Sequence, residues 1–521
     1  MIAAQPARSL GDLAAAFELA PAPGSPPGWQ AVTVHGVRAD NRRVTPGDLF
    51  AGHVGGHVHG ARFAGAAVDA GAVAVLTDPA GLDLLGGPEQ ARGVPVLVAQ
   101  DVPAVLGPLA AAVYGRPAET LRTFAVTGTN GKTTTAYMLE HALRALGRTT
   151  GLIGTVEVRV AGRGQPAALT TPQPADLQAL LADMVGAGVQ DLAMEVSSHA
   201  LGLGRVDPVV FDVAGFTNLT QDHLDFHGTL EDYFAAKASL FTSARSRRGV
   251  VLVDDDWGRR LAQVCERERP GDVVTVSTTD ADADWRAEPH DADWRAEPHD
   301  TDFRLVHRDG TTLRTSTGLP GRFNVANAAL AAVMVLTSGV APGDLEPALA
   351  AAGGLTPTVP GRMEELSTRP RVVVDFAHNP GALAQAVEAL RPTTAGRLVL
   401  VFGATGSRDT AKRPEMAQVA VDGADRVIVT DDDPHDEPAE QIRAEVLAAA
   451  RAHAPGADVR EVADRAEAIR VAVLEADPAD TVLVAGRGHE TVQEISGVDH
   501  HLDDREEVRA ALALRGGESA R

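Results

Sequence analysis

The chain has 521 residues, 44% of them hydrophobic and 22% charged, and a formal net charge of −23; at roughly 150 residues per domain it makes about three domains, each large enough for its own core. That charge repels phosphate backbones and anionic lipid heads, which excludes nucleic acid and membrane surfaces as general partners. No apolar run approaches the roughly 20 residues of a membrane span, Asp12 and Glu18 interrupt any signal-peptide core, and the lone Cys265 has no disulfide partner within the chain, so a cytoplasmic protein with a buried thiol is expected.

Residues 1–117 alternate short β-branched runs (Ala31–Val37, Ala72–Thr77, Val94–Val98) with turn signals and Ala-rich stretches, which predicts a small α/β domain. A second domain, 118–355, opens with a strand, a glycine loop and a helix, and continues with the apolar runs Asp191–Val196 and Val209–Phe216, suited to buried parallel strands. Gly353–Gly361, GGLTPTVPG, is too rich in Gly and Pro for an element interior and marks the next boundary. In 356–521 the runs Val372–Phe376, Leu398–Phe402, Arg426–Thr430 and Thr481–Ala485 alternate with helical spacers, predicting a doubly wound parallel sheet. Within the second domain DADWRAEPH, Asp282–His290, recurs unchanged at Asp291–His299. Two copies cannot bury a solenoid core, so a duplicated, solvated surface loop is expected.

Thr123–Thr135, TFAVTGTNGKTTT, is the strongest local signal. An apolar strand runs into Gly128-Thr129-Asn130-Gly131-Lys132-Thr133-Thr134 and then a helical segment, the context a phosphate-binding loop requires. Glycines let backbone N–H groups close round a phosphate, the helix N-terminus adds its positive end, Lys132 neutralises β/γ charge, and the Thr133 hydroxyl suits Mg²⁺; the ligand read here is ATP. The two glycines lie two residues closer than in G-x-x-x-x-G-K-[ST], which separates the loop from the common NTPases.

Glu195, in Glu195-Val-Ser-Ser-His199, follows an apolar run and is expected at the carboxyl end of a strand, where α/β sheets bind ligands, as a Mg²⁺ ligand. Asn218–His227 packs His223, His227, Asp222 and Asp225 into ten residues; beside a phosphate loop, Mg²⁺ with one histidine suits them better than Zn²⁺. Lys237 interrupts an apolar helical segment, where a lysine ordinarily snorkels to water.

TGTNGKTT, EVSSHAL, NLTQDHLDFHG with Lys237 ten residues on, GRFNVANA, GRME, DFAHNPGAL and GRGHE, in that order and with an N-terminal PGDLF, resemble the Mur ligase family, and within it the MurE branch, over nearly the whole chain. The resemblance implies a three-domain α/β architecture: 1–117 for UDP-MurNAc, a central P-loop ATPase domain at 118–355, and a Rossmann-like, amino-acid-binding domain at 356–521. It implies an ATP-dependent ligase of peptidoglycan synthesis that joins a diamino acid to the D-Glu γ-carboxylate of UDP-MurNAc-L-Ala-D-Glu, acting as a monomer on small molecules. Carried over by position, Lys132 stabilises the transferred phosphate, Thr133 and Glu195 serve one Mg²⁺, His223 serves a second, and Lys237 matches the lysine this family carbamylates, which would turn a cation into an anionic Mg²⁺ ligand. Asn324, Asn327 and Asp375 match adenosine-side positions; Thr170, Thr171, Ser197 and Arg205 match contacts to the muramyl peptide; His57 and Asn41 match the uridine site, where Asn41 replaces the usual serine. Arg408, Gly486 and Glu490 match groups near the α-amino and α-carboxyl end of the incoming amino acid.

Family members that use meso-diaminopimelate resemble one another in an Asp-Asn-Pro-Arg loop, and here Asp432-Asp433-Pro434-His435 stands in its place. Loss of the guanidinium and gain of a carboxylate favour a distal ammonium, so L-lysine or L-ornithine is expected, with diaminopimelate as the alternative. A sister ligase such as MurF or folylpolyglutamate synthase is a rival within the same chemistry, and a catalytically silent nucleotide-binding protein one outside it.

Overall fold

In the computed structural model, which describes residues 8–56, 58–86, 91–280, 282–289, 302–407 and 409–518, most buried parallel strands read as short apolar runs. The chain gathers into two compact units, one of residues 1–127, 147–214 and 236–249, the other of 128–146, 215–235 and 250–521. Fold class is α/β, with parallel sheets covered by helices.

The first unit contains a five-stranded sheet in the order Ala20–Pro21, Val96–Val98, Ala74–Thr77, Asp48–Gly52, Gly36–Arg38, parallel except for its first strand. Leu49, Leu76 and Leu97 point into a core shared with Leu106 and Leu109 of the helix Val102–Val113. The unit also contains Thr150–Ile153, Asp191–Glu195 and Arg122–Thr127 side by side and parallel, extended at one edge by the antiparallel strands Glu157–Val160 and Arg163–Pro166. The expected strand Ala31–Val37 is not continuous: Trp29–Ala31 forms a 3-10 turn, and Thr33–Val34 and Gly36–Arg38 belong to different sheets.

In the second unit the helix Lys132–Ala145 packs against Arg322–Thr337, an Ala-rich helix buried along nearly its whole length. A six-stranded sheet runs in the order Glu364–Thr368, Arg371–Asp375, Thr481–Ala485, Leu398–Phe402, Arg426–Val429, Asp458–Glu461, antiparallel only at its first strand. The strand latest in sequence therefore lies inside the sheet. Arg465, on the helix Arg465–Glu475, and Asp504, on the terminal helix Asp504–Glu518, form a pair with no exposed surface: guanidinium Nε and Nη2 donate to the two carboxylate oxygens at 2.7 and 2.8 Å, and Nη2 also to the Ala485 carbonyl at 2.9 Å. Cys265 is buried, and that burial pushes its thiol up to about 11.

The tandem repeat departs from expectation. Its first copy is a strand, Trp285–Pro289, parallel to Val273–Ser277 and antiparallel to Asp302–His307. Trp285 and Ala287 face the core while Arg286 and Glu288 face outward and pair with each other at 3.2 Å, a period-two alternation that the charged residues disguise in the sequence. The second copy lies outside the described residues.

Candidate functional site

The loop Gly128–Gly131 follows the strand Arg122–Thr127 and opens the helix Lys132–Ala145. Residues 217–220 tie it down: Asn130 N–H donates to Asn218 Oδ1 at 3.0 Å, Thr217 Oγ1 to the Asn130 carbonyl at 2.6 Å, and Thr220 N–H to Thr129 Oγ1 at 3.0 Å. Gly131 has φ +85, and a Cβ there would meet Asn327 Oδ1 at 2.5 Å, so only glycine fits. Lys132 Nζ donates to the carbonyls of Gly128 and Thr129 at 3.0 and 2.8 Å. A loop pinned from below, opening a helix N-terminus with an ammonium folded over it, suits a polyphosphate.

Beside the loop, Thr134, Asn324, Asn327, Arg362, Asp375 and Phe376 line one cleft. Asn327 Nδ2 donates to Asn324 Oδ1 at 3.3 Å. The Arg362 guanidinium lies 4.2 Å from the Phe376 ring centre, and its Nη2 is 3.3 Å from Thr133 Oγ1. Asp375 accepts from Met363 N–H at 2.7 Å; desolvation pushes its carboxyl up, against the pull of Arg362. Arg362 was not among the sequence candidates, although GRME contains it.

His223 has φ +54 and starts the short helix Leu224–His227. Its Nε2 is 3.8 Å from Asp222 Oδ2, and His378 Nε2 approaches the same oxygen at 3.7 Å. Burial opposes ionisation of Asp222, yet His378, His223 and Lys412 together hold its carboxyl far below the usual carboxylate range. Asp222 belongs to the His and Asp cluster read from the sequence, whereas His378, within DFAHNPGAL, was not among the sequence candidates.

In the first unit, Glu195 is the last residue of its strand and fully buried. Thr155 gives it two hydrogen bonds, N–H to Oε1 at 2.8 Å and Oγ1 to Oε2 at 3.1 Å. Thr155 Oγ1 is also 3.1 Å from Thr170 Oγ1, Thr171 Oγ1 donates to the Glu195 carbonyl at 2.9 Å and accepts from Ser197 N–H at 3.2 Å, and Arg205 Nη1 donates to the Thr171 carbonyl at 3.3 Å. Thr170, Thr171, Ser197 and Arg205 therefore gather round Glu195. Lys237 is 1% exposed on the helix Leu230–Ala238, so it does not snorkel. Among the described residues no three His, Cys, Asp or Glu side chains are disposed to hold a metal ion. Glu195 on its strand end and Thr133 at the start of its helix each offer oxygen, the donor type that Mg²⁺ takes alongside waters and phosphate oxygens rather than in an all-protein cage.

At the carboxyl end of the six-stranded sheet, Arg487 is wholly buried; its Nη1 donates to Asp433 and lies 3.5 Å from Asp432 Oδ1, and its Nη2 donates to the Val492 carbonyl. Asp433, expected to add a negative charge for the substrate, spends that charge on Arg487. His435, with φ +51, has Nδ1 2.6 Å from Glu494 Oε2. Pro434 lies between the two, Gly486 follows the strand Thr481–Ala485, and Glu490 Oε2 lies 3.9 Å from Arg487 Nη1. Desolvation and the neighbouring Asp432 push the Glu490 carboxyl up to about 8. Asn41 begins the 3-10 turn Asn41–Arg43, capped by Asp40. His57 and Arg408 lie outside the described residues.

Three family descriptions match the chain: "Mur ligase family, catalytic domain" over residues 33–114, "Mur ligase middle domain" over 126–335, and "Mur ligase, glutamate ligase domain" over 361–488. The chain is 46% identical over 496 residues to the UDP-N-acetylmuramoyl-L-alanyl-D-glutamate–2,6-diaminopimelate ligase of Corynebacterium glutamicum, covering 93% of this chain and 92% of that one. It is 44% identical to the like-named ligase of Streptomyces coelicolor, covering 95% of each, and 43% identical to a UDP-N-acetylmuramyl-tripeptide synthetase of Leifsonia xyli, covering 93% of each. A solved structure of a diaminopimelate ligase of that name superposes with a TM-score of 0.62 at 31% identity, covering 94% of this chain and 96% of the other.

Proposed function

We propose, from the premise that the chain belongs to the Mur ligase family, that it extends UDP-MurNAc-L-Ala-D-Glu by meso-diaminopimelate. It is an ATP-dependent acid–amino-acid ligase of the tripeptide-synthetase branch, with the three-domain α/β fold of the family. The domain limits 1–117, 118–355 and 356–521, action as a monomer and a cytoplasmic location are part of this reading; no helix among the described residues is long and apolar enough to cross a membrane.

The observation that supports the amino acid is the name shared by relatives matched over more than nine-tenths of the chain. It reverses the order expected from Asp433 and His435; in support, the Arg487 guanidinium beside Asp433 offsets locally the charge that this carboxylate adds. A second reading, L-lysine or L-ornithine, keeps one observation in its favour, since His435 stands where diaminopimelate-using members have arginine and is itself engaged by Glu494. Comparing kcat/KM for the three amino acids side by side decides; a clear preference for lysine or ornithine overturns the main reading.

A carboxylate is a poor electrophile because its leaving group would be oxide. Moving the ATP γ-phosphoryl group onto the D-Glu γ-carboxylate gives an acyl phosphate, from which an attacking amine expels phosphate. The chain's task is to position two anionic reactants and a zwitterionic amino acid, and to offset the charge that gathers at the reacting phosphoryl and carboxylate groups. Lys132 meets the phosphoryl charge, the 128–134 backbone cradles the phosphates, and Asn324, Asn327 and Asp375 hold the nucleoside. Thr170, Thr171, Ser197 and Arg205 orient the muramyl peptide, Asn41 and His57 the uridine, and Arg408, Asp432, Gly486 and Glu490 the amino acid. Thr133, Glu195, His223 and carbamylated Lys237 are the residues that would hold Mg²⁺, whose chemistry is to neutralise phosphate charge.

A further inference from the structure

The strands Thr150–Ile153 and Asp191–Glu195 run parallel with Ile153 beside Met194, so the turn Gly154–Thr155 leaves the first strand level with the end of the second. Gly154 lets the Glu195 carboxylate lie against the turn; a Cβ at 154 would overlap Oε1. Thr155 then binds each oxygen separately, with its N–H at 2.8 Å and its hydroxyl at 3.1 Å. A hydroxyl has one proton. Because Thr155 spends it on Glu195, it can only accept from Thr170 across their 3.1 Å contact, which fixes a direction: Thr170 donates to Thr155, and Thr155 donates to Glu195. Thr170 is left with oxygen lone pairs for whatever lies beyond it.

We propose that Thr155 is the positioning residue of Glu195: its paired hydrogen bonds fix the carboxylate for a divalent cation, and its accepting side orients Thr170 as a hydrogen-bond acceptor toward the muramyl peptide. The inference rests on Glu195 being a cation ligand, as read above. Groups that orient a metal ligand typically contribute 10–100-fold in metal affinity. The test is Mn²⁺ binding to the full chain with a non-hydrolysable ATP analogue, followed by the spin resonance of the free ion, together with KM for the UDP-MurNAc dipeptide and a thermal melt. Thr155→Val is expected to weaken Mn²⁺ binding about 10-fold and to raise the dipeptide KM; Thr155→Ser, which restores the hydroxyl, stays within about twofold of the parent. Thr155→Ala removes the hydroxyl without added bulk and replaces the valine variant if that one does not fold. Glu195→Gln separates the two ideas. If it weakens Mn²⁺ binding and the Thr155 variants do not, the positioning role is wrong and the ligand reading stands; if it leaves Mn²⁺ binding unchanged, the ligand reading fails and the positioning role fails with it.

Discussion

The side-chain amide of Asn379 donates to Oδ1 of Asn130 at 3.1 Å, joining the start of the helix Pro380–Leu390 to a phosphate loop 249 residues earlier. The same side chain caps that helix by accepting from Ala382 N–H at 2.9 Å. Asn379→Ala loses both functions and is expected to cost about 1 kcal/mol of stability, the usual value of a cap, with a raised KM for ATP. Asn379→Asp keeps the acceptor and loses the donor, so melting should hold while the ATP KM still rises. Equal loss of stability in both variants at unchanged KM would show that only the cap matters.

Lys132→Ala should leave the melt nearly unchanged, since the side chain is only partly buried, and abolish ligation, by analogy with electrostatic catalytic groups worth about 3–4 kcal/mol. Near-normal turnover would remove the ATP-site assignment.

Lys237 is buried on its helix, and a carbamate there would present anionic oxygen to a cation where the free amine presents positive charge. Lys237→Ala is expected to be nearly inactive and partly rescued by acetate, and the intact protein to show added CO₂ on Lys237 by mass spectrometry of the folded state. Full activity of the alanine variant rules out a ligand role.

Trp285→Ala empties an inward strand position and should cost about 3 kcal/mol, typical of a large core truncation. Deleting Asp291–His299 leaves the copy that forms the strand and changes a connection whose length matters little. That variant should melt and ligate like the parent; failure to fold would show that the second copy is structural.

With its carboxyl pushed up to about 8, Glu490 is mostly neutral at pH 7. An amino acid that sets its ammonium against Glu490 must drive off that proton, so calorimetry at pH 7 in buffers of different ionisation enthalpy should record net proton release, fading as the pH passes about 8 and absent in Glu490→Gln. The sign for stability is fixed as well. Between the unfolded value of 4.5 and about 8 the folded chain keeps a proton that the unfolded chain has lost, so this group's contribution falls as pH rises through that window. A Glu490→Gln variant with unchanged proton release would place the shift elsewhere.

Much of the fold is written locally. Asp191–Glu195, Leu398–Phe402 and Thr481–Ala485 are contiguous apolar runs because both faces of a parallel strand are covered. Asp48–Gly52 starts within PGDLF, behind a Pro-Gly turn signal that hides it, and Asp458–Glu461, at the sheet edge, has Val459 as its one apolar residue and reads as a turn. The phosphate loop is legible because its glycines, lysine and threonine are adjacent in sequence. The pairs Arg487 with Asp433, Asp222 with His378 and Asn130 with Asn379 are not: each joins residues 54 or more apart, and nothing in local periodicity records a partner at that distance.

Arg465 and Asp504 bear on how the carboxyl-terminal sheet is completed. A guanidinium with no exposed surface is costly to bury without a bonded carboxylate, and the one that bonds it, Asp504, lies 39 residues further on. The strand Thr481–Ala485, which must slip between Arg371–Asp375 and Leu398–Phe402, also comes late. Without these two segments the carboxyl-terminal sheet lacks an inner strand and Arg465 lacks its hydrogen-bonded carboxylate. Closing the sheet and burying the pair therefore depend on the same late stretch of chain, from Thr481 to Asp504.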